Sequence, residues 1–267
     1  MKHVSIFIIC SILLFVGLES FSYEVSDYEM IKRLNKCNRK IEREVDNGKL
    51  YMERGYLNYK VGNVEQSMDD YEMAKKYEPK NSDIYYSIGQ ILYSRGEYNK
   101  SLINYTEALR LNKRDSKSYV GRGLVKETCG NLDGALEDYN NAIKYGRRYS
   151  QGYINRGVLY DKLGEYENAL KDYGNAIRLD KYASDAYYNR GLTLCKLKRY
   201  KEALSDYTSA IELDQFYELA YLHRGLTYIE LKKYEWARVD LIKVLSLNPK
   251  NVEAKKKIDE IQGYILE

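Results

Sequence analysis

Tyr153-Ile154-Asn155-Arg156-Gly157 is one copy of a signal that recurs along most of this chain. Tyr51-Met52-Glu53-Arg54-Gly55, Tyr119-Val120-Gly121-Arg122-Gly123, Tyr187-Tyr188-Asn189-Arg190-Gly191 and Tyr221-Leu222-His223-Arg224-Gly225 share its frame. Tyr85-Tyr86-Ser87-Ile88-Gly89 shares all but the arginine. The glycines follow one another at steps of 34 residues throughout. A fixed period of this size marks a stack of supersecondary units, each touching only its neighbours.

Working outward, each unit reads as two helices. Tyr and Gly four residues apart share one helical face. A glycine inside a helix costs up to ~1 kcal/mol relative to alanine, so six in register imply that another helix must approach closely. The first helices stop near Gly62, Gly96, Gly130 and Gly164, which suit a left-handed C-terminal cap. Lys198 and Lys232 stand there in the last two units, so those turns are expected to be built differently or to be mildly strained. The second helices carry small residues at Ser67, Ser101, Ala135, Ala169, Ala203 and Ala237. A ring follows four residues later (Tyr71, Tyr105, Tyr139, Tyr173, Tyr207), with Leu241 in the last unit. Small residues return at Ala74, Ala108, Ala142, Ala176 and Ala210, with Val244 in the last. Pro79 and Pro249, the only prolines, fall in equivalent turns, as a nearly all-helical chain requires.

An aromatic, Gly, Ala, aromatic, Ala and an occasional Pro, in this order at this period, resemble the tetratricopeptide repeat family. The resemblance covers about residues 48–251, in six units: 48–81, 82–115, 116–149, 150–183, 184–217 and 218–251. Tyr stands where the family often has Trp, and Arg where it often has Leu just before the glycine. The resemblance implies an all-α, right-handed superhelical solenoid of antiparallel helix pairs, whose first helices line a concave groove.

The flanks read as covers for the two ends. Val25, Tyr28, Ile31, Leu34, Ile41 and Val45 form one stripe, so residues 23–47 are expected to be an N-terminal capping helix. Residues 252–267 carry the stripe Ala254, Ile258, Ile261 and Ile265 and are expected to close the other end. Residues 1–22 read as an export signal: Lys2, an apolar run from Val4 to Leu18, then Ser20 and Ser22 placed for cleavage. The run is short for a bilayer span of ~20 residues. A periplasmic or secreted location follows, with an uncleaved N-terminal membrane anchor as the alternative.

Composition narrows the function. With 43 basic and 39 acidic residues the net charge is +4, of mixed sign, and gives no footing for nucleic-acid binding. Cys37, Cys129 and Cys195 remain after cleavage. They are an odd number and show no disulfide or metal pattern. His3 and His223 are the only histidines. No nucleophile–His–acid set, zinc-ligand cluster or phosphate-cradling glycine loop is present in the sequence, so no catalytic residue, cofactor or metal is expected.

Because the repeats align themselves, one column can be read against another. The residue before the glycine is Arg54, Ile88, Arg122, Arg156, Arg190 and Arg224. The residue sixteen further on is Asp70, Asn104, Asp138, Asp172, Asp206 and Asp240. Arg always goes with Asp, and the one Ile goes with Asn. An ion pair inside each repeat that has both residues is expected, a bidentate fork being the natural guanidinium–carboxylate geometry.

The groove implied by the resemblance would be lined by Met52 and Tyr56, Tyr86 and Gln90, Val120, Ile154 and Asn155, Tyr188 and Asn189, and Leu222 and His223. Leu124, Val158, Leu192 and Leu226 are expected to be consumed in packing one first helix on the next. An apolar groove of this kind suits an extended peptide or a partner helix. Family members that clamp C-terminal carboxylates use Lys and Asn where this chain has Met52 and Tyr56, which disfavours that ligand. The reading is an exported scaffold binding another protein. Alternatives are self-association into an envelope assembly, or non-catalytic holding of a substrate for an enzyme.

Overall fold

The computed structural model describes residues 29–265; the expected export signal, the first residues of the expected N-terminal capping helix and residues 266–267 lie outside them. Every regular element of the described residues is an α-helix. Helix α1 covers 29–41. Then come α2 (Gly48–Lys60), α3 (Val64–Tyr77), α4 (Ser82–Ser94) and α5 (Tyr98–Leu111). They are followed by α6 (Ser116–Thr128), α7 (Leu132–Tyr145), α8 (Ser150–Lys162), α9 (Tyr166–Leu179) and α10 (Ser184–Lys196). The last are α11 (Tyr200–Leu213), α12 (Glu218–Glu230), α13 (Tyr234–Leu247) and α14 (Val252–Ile265). The chain forms two compact units, one ending at Lys113 and the other beginning at Arg114.

Inside a repeat, the glycine and the ring make the contact between helices. A Cβ on Gly157 would lie 2.7 Å from Tyr173, whose ring rests directly on the α8 backbone. Tyr139 and Tyr207 crowd Gly123 and Gly191 in the same way. In the first unit Ser67 and Ser101 add a bond, each hydroxyl donating to the carbonyl of its repeat's glycine at 2.7 Å. The alanines at the equivalent positions in the second unit are fully buried. Alternation of large and small side chains lets the pair interdigitate at the density of a protein interior.

Seams between repeats are built from residues one turn earlier. Ile154 packs with Ala176 and Ala186, joining repeat four to repeat five. Tyr188 lies with Ala210 and Ala220 at the next seam. Leu222 joins Ala254 and Ile261 of α14. That terminal helix buries Ala254 and Ile261 and turns its lysines and acids outward.

The first helices all end alike. Gly62, Gly96, Gly130 and Gly164 have φ between 74° and 82°, and Lys198 and Lys232 adopt 59° and 56°. The bond that closes the turn is the same in both kinds. Glu165 N donates to Tyr160 O at 2.8 Å, Arg199 N to Leu194 O at 2.9 Å, and Lys233 N to Tyr228 O at 2.8 Å. The lysine turns are therefore not built differently; they take the glycine conformation and bear its strain.

The expected stripe of α1 needs correction. Ile31 and Val45 are exposed, and Cys37 and Ile41 are the residues that pack on the first repeat. The helix ends at residue 41, so Val45 lies in a turn, and Cys37 serves as a small hydrophobe.

Candidate functional site

The arginine column lies inside the repeats. Arg156 donates from Nε and Nη2 to the two oxygens of Asp172 at 2.7 and 2.8 Å. Arg122–Asp138, Arg190–Asp206 and Arg224–Asp240 repeat this two-bond fork. Arg54 holds Asp70 with the same two nitrogens. All five carboxylates are buried. The repeat without the pair has Ile88 in the core and Asn104 bonded to its own helix through Lys100 O. Lys126 adds a second cation to Asp138 at 2.8 Å. For Arg190 the bond it donates to Asp206 raises the pKa and burial opposes it, so the guanidinium is charged at every physiological pH.

The first-helix face is what these pairs leave open. In the first unit Tyr56 and Gln90 are exposed, while Met52 and Tyr86 are half-buried. Met52 Sδ stands 3.2 Å from Asn81 Nδ2, and the Tyr86 ring lies 5.9 Å from that of Tyr105.

In the second unit the expected lining is corrected. Val120, Ile154, Tyr188 and Leu222 are 4–8% exposed. They are seam residues, because the alanines opposite them leave room for a large side chain to enter. Leu124, Val158, Leu192 and Leu226, expected to be consumed in packing, are half-buried: Leu192 and Leu226 do pack on the buried clusters around Tyr207 and Leu241, and each of the four keeps part of its surface open. They form an apolar strip along α6, α8, α10 and α12, neighbouring helices that touch in succession.

Polar groups border the strip. Asn155 accepts from Gln151 at 3.0 Å through Oδ1, and its Nδ2 is buried without a partner. Asn189 Nδ2 donates to Asp185 O at 2.8 Å. His223 lies among the rings of Tyr188 and Tyr207, 5.8 and 6.4 Å away. Burial lowers the His223 pKa, and Glu253 partly opposes this. Burial alone pushes Tyr188 up to about 12.

Across the strip runs a feature the column comparison missed. Asp161 accepts from Thr193 Oγ1 at 2.7 Å and pairs with Lys196, both of the following repeat. One repeat earlier, Glu127 accepts from Tyr139 at 2.9 Å and stands 3.7 Å from Lys162. At the third equivalent place Cys195 lies 3.2 Å from Thr227 Oγ1, and the lysine is replaced by Glu230. Acid and lysine thus vanish together. Comparison at a spacing of 35 residues, across repeats, would have found the pair.

The face offers apolar contact, amide donors and acceptors, and paired charges. Among the described residues no three His, Cys, Asp or Glu side chains stand together as a metal would need. No helix of the described residues is long and apolar enough to cross a membrane.

A family model described as tetratricopeptide repeat matches residues 150–182 and 184–217. A second, of the same description, matches 82–115 and 219–251, so that the two account for half of the chain. The search of curated proteins finds no match. Among solved structures, a chain of the APC/C hetero-tetramer Cut9–Hcn1 is similar with a TM-score of 0.76 at 18% identity, over 85% of this chain and 45% of that one. This chain therefore spans less than half of that relative. PilF of Pseudomonas aeruginosa gives 0.69 at 16% identity, over 84% and 99%. YrrB, described as a protein of this repeat with an unusual peptide-binding site, gives 0.53 at 23% identity, over 70% and 96%. At these identities the likeness is one of fold.

Proposed function

This chain belongs to the tetratricopeptide repeat proteins, and from that premise we propose that it is a non-catalytic scaffold that holds another protein or peptide on its first-helix face. The observation that carries this is the strip Leu124, Val158, Leu192 and Leu226, half-buried in sequence along four helices, with the unpartnered Asn155 Nδ2 at its border. A buried amide donor without a partner costs ~1–3 kcal/mol, and a main-chain carbonyl laid along the strip would relieve it. The peptide-binding site ascribed to YrrB supports the same class of ligand. Residues 1–22 support an exported chain, periplasmic or secreted. N-terminal sequencing of the mature protein tests that part separately.

Binding is tested by placing Lys at Val158 and Leu192 and screening wild type and variant on a peptide array. Loss of capture with unchanged helical circular dichroism is expected. Equal capture by both proteins would sink the groove mechanism.

A second reading, self-association, is favoured by the outer face of α13. Trp236, Val239 and Ile242 are 63%, 64% and 49% exposed. The equivalent residues of α11 are Glu202, Ser205 and Thr208, and those of α9 are Asn168, Lys171 and Gly174. Light scattering of wild type beside a Trp236→Glu, Val239→Lys variant decides it: an oligomer abolished by the changes supports pairing, and a monomer at all concentrations rejects it.

A further inference from the structure

The loops that join one repeat of the second unit to the next lie along one edge. Ala183, in the loop before α10, packs on the cluster around Ile154 of α8. Tyr217, in the loop before α12, donates from its hydroxyl to Asp185 in the first turn of α10 at 2.9 Å. Each loop, taken with the last residues of the helix before it, thus follows its neighbour in a row: 144–149, 178–183 and 212–217.

Charge changes sign along that row. Lys144, Arg147 and Arg148 stand in the first loop, with no acid among them. The middle loop holds Arg178, Asp180 and Lys181, of both signs. Glu212 and Asp214 stand in the third, with Glu218 beside them and no base. All but Glu218 are exposed, and none forms an ion pair among the described residues. Glu218 accepts from Asn248 and Asn251, which are neutral. Asp115, the acid beside Tyr149, is occupied in capping α6 through Lys117 N and Ser118 N. The turns at the opposite edge show no such order: those at 162–165, 198–202 and 232–235 each hold both signs.

Apolar surface accompanies the acids. Phe216 is 62% exposed, Leu213 and Leu219 are exposed beside it, and Tyr182 of the middle loop is 69% exposed. The basic loop instead encloses a hollow of about 530 Å³, with Tyr145 and Tyr149 in its walls. Arg148, Tyr182 and Phe216 hold the same position in successive repeats, as do Lys144, Arg178 and Glu212. An edge that runs basic, mixed, acidic in equal steps is complementary to its own reverse.

We propose that this edge is a self-association surface, on which two copies of the chain pair antiparallel about a two-fold axis at Tyr182, Phe216 of each entering the hollow at 144–149 of the other. Lys144 then faces Glu212, and Arg147 and Arg148 face Asp214. The Arg148 guanidinium meets the Phe216 ring, whose face attracts a cation. The same contact is made twice, so assembly closes at a dimer. These residues belong neither to the apolar strip nor to the outer face of α13, and the proposal rests on neither reading above.

The test is sedimentation velocity of the full chain, with circular dichroism as the check on folding. Arg147→Glu with Arg148→Glu makes both ends of the edge acidic, and Glu212→Lys with Asp214→Lys makes both basic. Wild type is expected to be a dimer that loosens as salt screens the charges. Each charge variant alone should be a monomer. An equal mixture of the two should be dimeric again, because every acidic loop of one then meets a basic loop of the other. The Trp236→Glu, Val239→Lys variant should stay dimeric. A wild-type monomer at every concentration, a wild-type assembly larger than a dimer, a dimer of either charge variant alone, or no recovery on mixing the two helical variants would overturn the proposal. Loss of the dimer in the α13 variant but in neither charge variant would overturn it too, and would assign the pairing to α13.

Discussion

Gly157 and His223 show how a single side chain, or its absence, sets local behaviour. Tyr173 occupies the place a Gly157 Cβ would take, 2.7 Å from ring carbon. Gly157→Ala is expected to cost ~1–3 kcal/mol, the range for overpacking a filled interior, as a lower midpoint in urea denaturation. His223 carries a different signal. Its folded pKa lies below the ordinary 6.5 because burial penalises the imidazolium, with Glu253 opposing. The unfolded chain therefore binds the proton more readily. Its contribution to stability is complete above the unfolded pKa and is lost as pH falls from there through the lower folded value. The melting temperature should decline on acidification between about pH 7 and 5, where histidine is the side chain that titrates. His223→Phe should flatten that slope; an unchanged slope would place the titration elsewhere.

Helices were legible where a residue type answers a purely local need. Glycine at a helix end announces left-handed backbone, and the turn at Gly164 has it. Lys198 and Lys232 hid the same turn because nothing in a lysine advertises positive φ. An L-residue in that conformation costs roughly 1–2 kcal/mol, so Lys198→Gly and Lys232→Gly should each raise stability by about 1 kcal/mol, read as a shift in thermal midpoint. The arginine and aspartate columns were readable because they change together within a repeat. The groove was not. Ile154 and Val158 lie one turn apart on the same helical face, and their spacing does not tell which of them enters a seam. Ala176 and Ala186, distant in sequence, decide it by leaving room for Ile154. The Asp161–Lys196 bridge escaped notice for a related reason: it crosses from one repeat to the next.

At the scale of the molecule, stability in an array is a sum of repeat and interface contributions, so an end without cover is the weak point. Helix α14 buries Ala254 and Ile261 against the last repeat. Removing residues 252–267 should raise hydrogen exchange in α12 and α13 first and leave α8 and α9 protected; uniform loss of protection would show the second unit to be a single cooperative body. Charge is distributed differently within repeats and across their joins. Each repeat of the second unit is locked by a two-bond fork to a buried carboxylate, whereas the join between repeats four and five adds Lys196 on Asp161, with the lysine half exposed to solvent. Strong links with softer joints have the mechanics of a spring. Under tension these joints would part before the links, and because solvent ions screen an exposed bridge more than a buried one, the spring would be more compliant at high salt.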